Sequence, residues 1–341
     1  MKVHPLLFDL VPPKPTTRDV ADHVKAHGAA EGFPDAASKA DGASYQEVTC
    51  RSALNGVKGM PFKWTLNPYR GCTHGCHYCF ARRYHMQFEL DSGDAFSSMI
   101  LVKRNFVEVL EKELDRPSWK REYVAVGTAT DAYQPIEGHY RMTRRSIVAL
   151  ARARTPFGVI TKGPMVVRDK DVLLDATRQA GCTVYMSVPT VDEDAWRILE
   201  PGTAHPMQRL RAVRELNDAG IRAGVLMNPI VPGLTSQPAK LENTIKAIAE
   251  HGAAFMGTNL LYLKDGTRVH FMNFLDTHFP LLATKYRRLY RGAYAPDAYA
   301  KEVRGMVKML QRKHRVARRD ADQTETPGGQ DPPGAQGSFD Y

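Results

Sequence analysis

Three of the five cysteines in this 341-residue chain are gathered in one short segment. They are Cys72, Cys76 and Cys79, spaced Cys-x3-Cys-x2-Cys. Thiolates held on one short loop are typical ligands of a metal ion or an iron–sulfur cluster. Three ligands are one fewer than a closed tetrahedral site needs, so a [4Fe–4S] cluster held this way keeps one iron free to bind another molecule. The segment therefore predicts a reactive cluster site.

A zinc site is the chemical alternative for the same cysteines. It would add one histidine, His74, His77 or His85, to the three thiolates. Such sites usually use a second ligand pair far along the chain, and the sequence shows no such pair. The two remaining cysteines are predicted to be structural. Cys182, for example, opens a candidate buried strand, where a free cysteine packs as a small hydrophobic residue.

Short apolar runs alternate with amphipathic helical stretches on both sides of the cysteines. The predicted strands are residues 63–66, 123–126, 158–161, 183–188, 222–227 and 255–263, and the predicted helices are residues 105–114, 141–152, 169–180, 207–219 and 238–251. Alternating strands and helices form a parallel sheet with right-handed crossovers. Six units are too few for a closed eight-stranded barrel. The sequence therefore predicts an α/β fold, a partial (β/α)6 TIM-like barrel with a C-terminal helical cap. In such folds the reactive groups gather at the carboxyl ends of the strands, and the cysteine loop follows the first predicted strand.

We predict four segments along the chain. Residues 1–57 are rich in Pro, Ala, Gly and charge and are expected to form a loosely ordered N-terminal extension. Residues 58–265 form the barrel, and residues 266–319 form C-terminal helices. The tail over residues 320–341 has the composition of a disordered segment.

Composition and charge limit the cellular environments and the binding partners that we expect for the protein. The hydrophobic content of 43% is ordinary for a folded protein. No apolar run is long enough to span a bilayer and no N-terminal signal is present, so we expect a cytoplasmic protein with no membrane association. The net charge of +10 suits an anionic partner such as nucleic acid. One predicted helix is the candidate surface, although the usual explanation for such a charged run is a solvated helix end. Its basic residues are Lys301, Arg304, Lys308, Arg312, Lys313, Arg315, Arg318 and Arg319.

The cysteine spacing, with an aromatic residue, Tyr78, directly before the third cysteine, resembles the signature of the radical S-adenosylmethionine (SAM) superfamily. The resemblance extends over roughly residues 60–265. It implies that Cys72, Cys76 and Cys79 bind three irons of a [4Fe–4S] cluster, and that the amino and carboxylate groups of SAM chelate the fourth. It also implies that one-electron reduction cleaves SAM to methionine and a 5′-deoxyadenosyl radical, which abstracts a hydrogen atom from the substrate. A flavodoxin or ferredoxin would supply the electron.

The same resemblance implies which residues bind SAM. Tyr78 lies where the superfamily has a residue beside the adenine. In the spore photoproduct lyase-like branch, a lysine and a serine at two strand ends contact the SAM carboxylate and ribose, and Lys162 and Ser187 match them. The alternative for Lys162 is a surface lysine. Asn228 begins a segment similar to the one that packs against adenine.

A further group of candidates follows the second predicted strand. Thr130, Asp131 and Glu137 stand where many relatives carry a segment that meets the SAM amino group. The alternative is a carboxylate that caps the following helix. Glu200 and Arg209 are compatible with contacts to the cofactor or substrate and equally with an ordinary ion pair.

The sequence also departs from spore photoproduct lyase. That enzyme has a hydrogen-donating cysteine just after its second strand, and the comparable residue here is Thr128. It also uses two tyrosines in the segment after the cluster, whereas residues 96–102 contain none. A hydroxyl group does not replace a thiol as a hydrogen donor, so we do not expect repair of spore photoproduct. Many members of this branch are labelled DNA repair photolyases by analogy.

Three hypotheses follow from these residues. The first is a radical SAM enzyme acting on nucleic acid, and the second is the same chemistry on a protein, peptide or small molecule. The third is a non-catalytic iron–sulfur or zinc protein.

Overall fold

The computed structural model describes residues 8–10, 42–84 and 95–319. Eleven strands lie in these ranges: β1 (Phe8–Leu10), β2 (Ser44–Cys50), β3 (Leu54–Gly56), β4 (Trp64–Leu66), β5 (Tyr69–Arg70), β6 (Met99–Lys103), β7 (Val124–Val126), β8 (Phe157–Thr161), β9 (Cys182–Ser187), β10 (Ala223–Ile230) and β11 (Met256–Leu260). Seven of them form the main sheet, in the order β11-β10-β9-β8-β7-β4-β3.

The main sheet is parallel from β4 to β11, and β3 joins its edge antiparallel to β4. The register pairs Leu66 with Val126, Thr161 with Met186, and Leu226 with Ser187, so the carboxyl ends meet at one edge of the sheet. All six predicted strands are confirmed. Across residues 42–84 and 95–319 the sheet does not close into a barrel, as the prediction of an open (β/α)6 arrangement requires.

Helices follow the strands along the chain. They are α1 (Ala95–Ser98), α2 (Phe106–Leu114), α3 (Glu137–Tyr140), α4 (Met142–Arg152), α5 (Lys170–Gln179), α6 (Glu193–Leu199), α7 (Pro206–Asp218), α8 (Pro238–Glu250), α9 (Asp265–His278), α10 (Pro280–Leu289) and α11 (Asp297–Lys313). The five predicted crossover helices are α2, α4, α5, α7 and α8, each within one residue of its expected bounds. Three of them stop at glycines with positive φ, Gly181 after α5, Gly220 after α7 and Gly252 after α8.

The core lies between the parallel strands and these helices. Val126, Val159 and Val184 are fully buried, as are Ile147 of α4 and Leu210 of α7. Parallel strands covered on both faces carry such near-continuous apolar runs. This packing fixes the direction of each strand end, and therefore of the polar side chains that follow it.

A second, smaller sheet has the order β1-β2-β6-β5 and was not predicted. β2 pairs in parallel with β6, and β5 pairs with β6 in the opposite direction and leads directly into the cysteine loop. Tyr45, Val48 and Cys50 of β2 belong to the main core. The predicted loose extension is therefore wrong for residues 42–57, because burial of these side chains stabilises an ordered strand. The rest of the extension, apart from residues 8–10, and the predicted tail lie outside the described residues.

The C-terminal helices α9, α10 and α11 form the expected cap. α11 packs beside α8, and the chain then runs along β11, where the Met256 N–H donates to the Ala317 carbonyl at 2.9 Å. Within the ranges that the structure describes, none of the helices combines the length and apolar character that a membrane span requires.

Candidate cluster and cofactor site

The cysteine loop begins where β5 ends, at the carboxyl edge of the main sheet. Gly71 has φ of +81°, and a Cβ atom there would lie 2.6 Å from the Met99 carbonyl oxygen, so only glycine fits this turn. The Cys72 N–H then donates to the Phe96 carbonyl at 3.0 Å. Cys72 and Cys76 are buried, Cys79 is half-buried, and all three are free thiols.

The donor set fits an iron–sulfur cluster. Burial raises the pKa of all three thiols, that of Cys76 to about 12, so they need a nearby positive charge to become thiolates. Among the described residues, no three His, Cys, Asp or Glu side chains lie close enough together to hold a single metal ion. A cubane cluster takes each thiolate on a separate iron, and three thiols on one loop suit such a group.

The histidines of the zinc alternative have other partners. His74 Nδ1 lies 3.3 Å from the Asp131 carboxylate, and His77 Nδ1 lies 3.0 Å from His270 Nε2. His85 lies outside the described residues. These side-chain contacts of His74 and His77 are therefore with residues other than the cysteines.

Thr130 lies behind the cysteine loop and supports its backbone. Its hydroxyl donates to the Gly71 carbonyl at 2.6 Å. Gln134, which sequence reasoning missed, is fully buried and completes this support. Its amide N–H donates to the Gly71 carbonyl at 3.2 Å, and its oxygen accepts from the Thr73 N–H at 3.2 Å.

Asp131 joins three parts of the site. Its carboxylate accepts from the Thr161 hydroxyl at 2.6 Å, the Lys162 N–H at 2.6 Å and the Tyr133 N–H at 2.8 Å. Burial opposes its ionisation, but His74 and these donors lower the pKa of Asp131 from 3.8 to about 2. Both carboxylate oxygens are therefore engaged within the protein.

Glu137 is not brought to the cysteine loop. Its buried carboxylate accepts from the Thr143 and Arg144 N–H groups at 3.0 and 3.1 Å, and from the Tyr69 hydroxyl. These are the free amides at the start of α4, so the alternative of a helix-capping carboxylate describes Glu137. Its sequence assignment as a SAM contact is wrong for this reason.

Lys162 turns into the site from the end of β8. Its side chain is only 14% exposed, with Nζ 2.5 Å from the Ser187 hydroxyl, 3.2 Å from Glu200 and 5.6 Å from the Tyr78 ring centroid. The surface-lysine alternative is therefore wrong. In the described part of the chain, the Lys162 ammonium, which has three N–H donors, lies within hydrogen-bond distance of two partners, Ser187 and Glu200.

Glu200 and Arg209 form a buried ion pair beside Lys162. The Arg209 guanidinium lies 2.6 Å from Glu200 and also donates to the Ser187 carbonyl at 2.9 Å, while the Tyr78 hydroxyl donates to Glu200. Burial disfavours the Glu200 carboxylate, yet Arg209 and Lys162 lower its pKa to about 2. The three charges therefore leave one net positive charge close to Cys76.

Asn228 lies at the same edge, at the carboxyl end of β10. Its side-chain oxygen accepts from the Asn259 N–H at 2.5 Å and so links β10 to β11. The structure thus brings Tyr78, Lys162 and Ser187 into contact, with Asn228 on the same edge.

Two supports of the cysteine loop come from distant parts of the sequence and carry no recognisable motif. Residues 199–203 lie against it, with the His77 N–H donating to Leu199 and the Gly202 N–H to His74, both at 3.0 Å. The Thr267 hydroxyl of α9 donates to the Cys79 carbonyl at 3.1 Å. Such contacts are formed by folding and cannot be read from local spacing.

The chain is similar in sequence to a known family and to several known proteins. The family described as Radical SAM superfamily matches residues 66–252. An uncharacterised protein of Mycobacterium tuberculosis is 40% identical over 281 residues, which cover 81% of this chain and 83% of the relative. A protein named Radical SAM Nalpha-GlyT isomerase, from Pseudomonas phage M6, is 25% identical over 201 residues, or 58% of this chain and 38% of that protein.

The fold is shared with spore photoproduct lyase. A lyase structure complexed with dinucleoside spore photoproduct has a TM-score of 0.62 at 16% identity, covering 84% of this chain and 86% of that chain. A second, with bound AdoMet and the same dinucleoside, also has a TM-score of 0.62, at 15% identity, covering 87% and 91%. Since the superfamily match spans more than half of the sequence, this chain belongs to the radical SAM superfamily of enzymes, whose cofactors are a [4Fe–4S] cluster and S-adenosylmethionine.

Proposed function

We propose that this enzyme reductively cleaves SAM at a [4Fe–4S] cluster bound by Cys72, Cys76 and Cys79, and then abstracts a hydrogen atom from its substrate. The observation that carries the proposal is the contact of Lys162 with Ser187 and Glu200 beside the cysteine loop. When bound, the cluster and SAM supply a one-electron cleavage that yields a 5′-deoxyadenosyl radical. The protein holds the reactants and excludes water and oxygen.

The residues around the loop divide this work. Lys162 directs its remaining N–H at the SAM carboxylate as a point charge, and Ser187 contacts the ribose. The Tyr78 ring lies beside the adenine, and Asn228 lines the same side. Thr130 holds the cysteine loop in position, and Asp131 holds Lys162 in position.

Nucleic acid is the substrate class that we favour. The chain has a net charge of +10, and Lys301, Arg304 and Lys308 are exposed along α11. Such a helix suits a phosphate backbone. Repair of spore photoproduct itself is not proposed, because the resemblance implies that Thr128, a hydroxyl residue, stands where the lyase has its hydrogen-donating cysteine. The amide of Asn67 lies 3.4 Å from this hydroxyl.

The proposed chemistry also implies an electron donor and a cellular compartment. A low-potential carrier of the flavodoxin or ferredoxin class supplies the electron. All five cysteines are free, which suits the reducing cytoplasm.

The test is anaerobic reconstitution with iron and sulfide, followed by dithionite and SAM. We expect on the order of four irons per chain and release of 5′-deoxyadenosine. Cys76→Ala should lose both, and the matched control Cys182→Ala, in the core, should keep both. Lys162→Met should keep the iron and weaken SAM binding. Zinc in place of iron, or SAM cleavage by Cys76→Ala, would contradict the proposal.

The substrate test uses deuterated DNA and RNA oligonucleotides. Deuterium in 5′-deoxyadenosine, with oligonucleotide affinity that falls steeply as salt rises, would support nucleic acid. Deuterium transfer from a labelled peptide or small molecule alone would support the second hypothesis.

A further inference from the structure

Helix α9 packs against the cysteine loop, and α10 packs on α9. The Thr267 hydroxyl of α9 donates to the Cys79 carbonyl at 3.1 Å, and Phe271 and Phe274 pack in the same apolar cluster as Cys76. The helix pair is therefore joined to the cysteine loop through α9, and its outward face is the surface beyond that contact.

Aromatic rings connect that surface to the loop. His77 directly follows Cys76, and its ring stacks on Phe274 with 4.3 Å between centroids and on His270 with 5.2 Å. His270 is half-buried, and its neighbour Val269 is 61% exposed. A short, packed route therefore leads from solvent to a predicted iron ligand.

The outward face carries an apolar residue within a basic stripe. Leu281, Lys285 and Arg288 share one side of α10, because they are four and three residues apart, and Arg291 follows the end of the helix. Leu281 is 85% exposed. In the part of the chain that the structure describes, Lys285, Arg288 and Arg291 have no carboxylate partner.

The charged residues beside this basic stripe already form ion pairs with each other, so they do not neutralise its positive charge. Arg287 lies 2.6 Å from Asp276, and Arg83 lies 3.4 Å from Asp265. The excess charge of the α9–α10 face, defined as Val269, Leu281, Lys285, Arg288 and Arg291, is therefore positive. A basic surround with apolar contact residues is typical of a surface that attracts and then binds an acidic protein.

We propose that the α9–α10 face docks a small acidic one-electron carrier protein of the flavodoxin or ferredoxin class. One electron passes from the reduced carrier to the cluster, so the carrier is oxidised by one electron and the cluster is reduced by one. No bond is made or broken. This inference rests on the proposed function, because it assumes the cluster, and it names the route by which the electron enters.

The experiment compares two charge-reversed variants of the reconstituted enzyme. The first is Lys285→Glu/Arg288→Glu/Arg291→Glu on the α9–α10 face. The matched control is Lys301→Glu/Arg304→Glu/Lys308→Glu on α11, which changes the net charge equally. The probes are a photoreduced bacterial flavodoxin and a reduced plant-type ferredoxin. The rate of cluster reduction is followed by EPR and absorbance against carrier concentration and salt, and dithionite is the small reductant that needs no docking.

We expect the first variant to need about tenfold to a hundredfold more carrier for the same rate, and the α11 control to behave as the wild type. Salt should slow carrier reduction of the wild type and have little effect on the first variant. Reduction by dithionite should be equal in all three proteins. Affinity of the proteins without cluster for the oxidised carrier, from titration calorimetry, should follow the same order.

Several outcomes would overturn the proposal. Equal loss in the two variants would assign the effect to net charge, and normal carrier reduction of the first variant would remove the docking role. Failure of both carriers to reduce the wild type would do the same. If the first variant loses oligonucleotide binding and keeps carrier reduction, the face is a nucleic-acid surface. A cluster that dithionite reduces without release of 5′-deoxyadenosine would instead refute the proposed function.

Discussion

Lys162 is a buried ammonium group whose charge depends on its neighbours. Burial disfavours its charged form, but Glu200 and other nearby negative groups keep the pKa of Lys162 above its usual value. Arg209 in turn compensates the charge of Glu200. Removing both charged groups from water costs free energy, and only close, well-aligned contacts between them offset that cost. What the arrangement provides is a fixed position for one cation beside the cysteine loop.

Tyr78 joins the cysteine loop to this charged group, and removing its hydroxyl tests that link. In Tyr78→Phe the ring remains, but Glu200 loses the hydroxyl that donates to it. We expect a loss of about 1–3 kcal/mol in the free energy of unfolding, since hydrogen bonds to charged groups are the strong ones. Urea unfolding of the cluster-free protein measures it. The control is Tyr123→Phe, whose hydroxyl, among the residues that the structure describes, donates weakly to that of Tyr185 at 3.4 Å. Equal effects in the two variants would contradict the link.

Glu137 should make folding stability depend on pH. Burial raises the pKa of this carboxyl from 4.5 to about 7, although the Thr143 N–H and the Tyr69 hydroxyl oppose the shift. The folded protein therefore binds the proton more tightly than the unfolded chain. The stability from this group is complete below pH 4.5 and is lost as the pH rises through 7, by about 3 kcal/mol at most.

The matching variant is Glu137→Gln, which cannot titrate. It should remove this component of the pH dependence, so the wild type and the variant diverge most between pH 4.5 and 7. Urea midpoints across that range give the difference. Parallel curves would show that Glu137 is already ionised in the folded protein.

Elements with local signals were predictable, and elements formed by distant pairing were not. The crossover helices were predicted because apolar spacing and stops such as Gly181 and Gly220 are local. The small sheet was missed because β2 and β6 become strands by pairing across about fifty residues, Ser44 with Met99 at one end. The cysteines were predicted from their spacing, and Lys162 from the family resemblance. The roles of Gln134 and Arg209 depend on burial, which sequence spacing does not reveal.

The segment between α6 and α7 packs against the cysteine loop and supports it. A substitution at Gly202 tests this support. A Cβ atom there would lie 2.3 Å from the Thr73 carbonyl oxygen and 3.0 Å from His74 Cα, both backbone atoms. Gly202→Ala should therefore push the two segments apart, with a loss of about 1–3 kcal/mol in folding free energy. Iron retention after reconstitution should fall with it. Gly292→Ala is the control, since nothing lies within 4 Å of its Cβ position. Full stability and iron content in Gly202→Ala would contradict this supporting role.

At the scale of the molecule, the end of the described chain returns to the edge of the main sheet. After α11, Val316 packs into the core, and the Ala317 carbonyl accepts from the Met256 N–H of β11. The Arg319 guanidinium lies over the Tyr185 ring, with 5.2 Å to its centroid. The C-terminal cap is thus part of the same core as the parallel strands that carry the site, and the two should unfold together.

Val316→Asp tests this coupling, with Ala317→Asp as its neighbour on the exposed side. Val316 is buried, so an aspartate there is an uncompensated buried charge and should cost about 3 kcal/mol or more. Ala317 is exposed, and its substitution should change stability by less than about 0.5 kcal/mol. Urea unfolding followed by tryptophan fluorescence and by circular dichroism gives both values. Because all three tryptophans, Trp64, Trp119 and Trp196, lie outside the cap helices, a shared shift of the two signals in Val316→Asp would demonstrate one cooperative unit. A tryptophan signal that kept the wild-type midpoint would mean that the cap unfolds separately from the strands that hold Lys162 and Ser187.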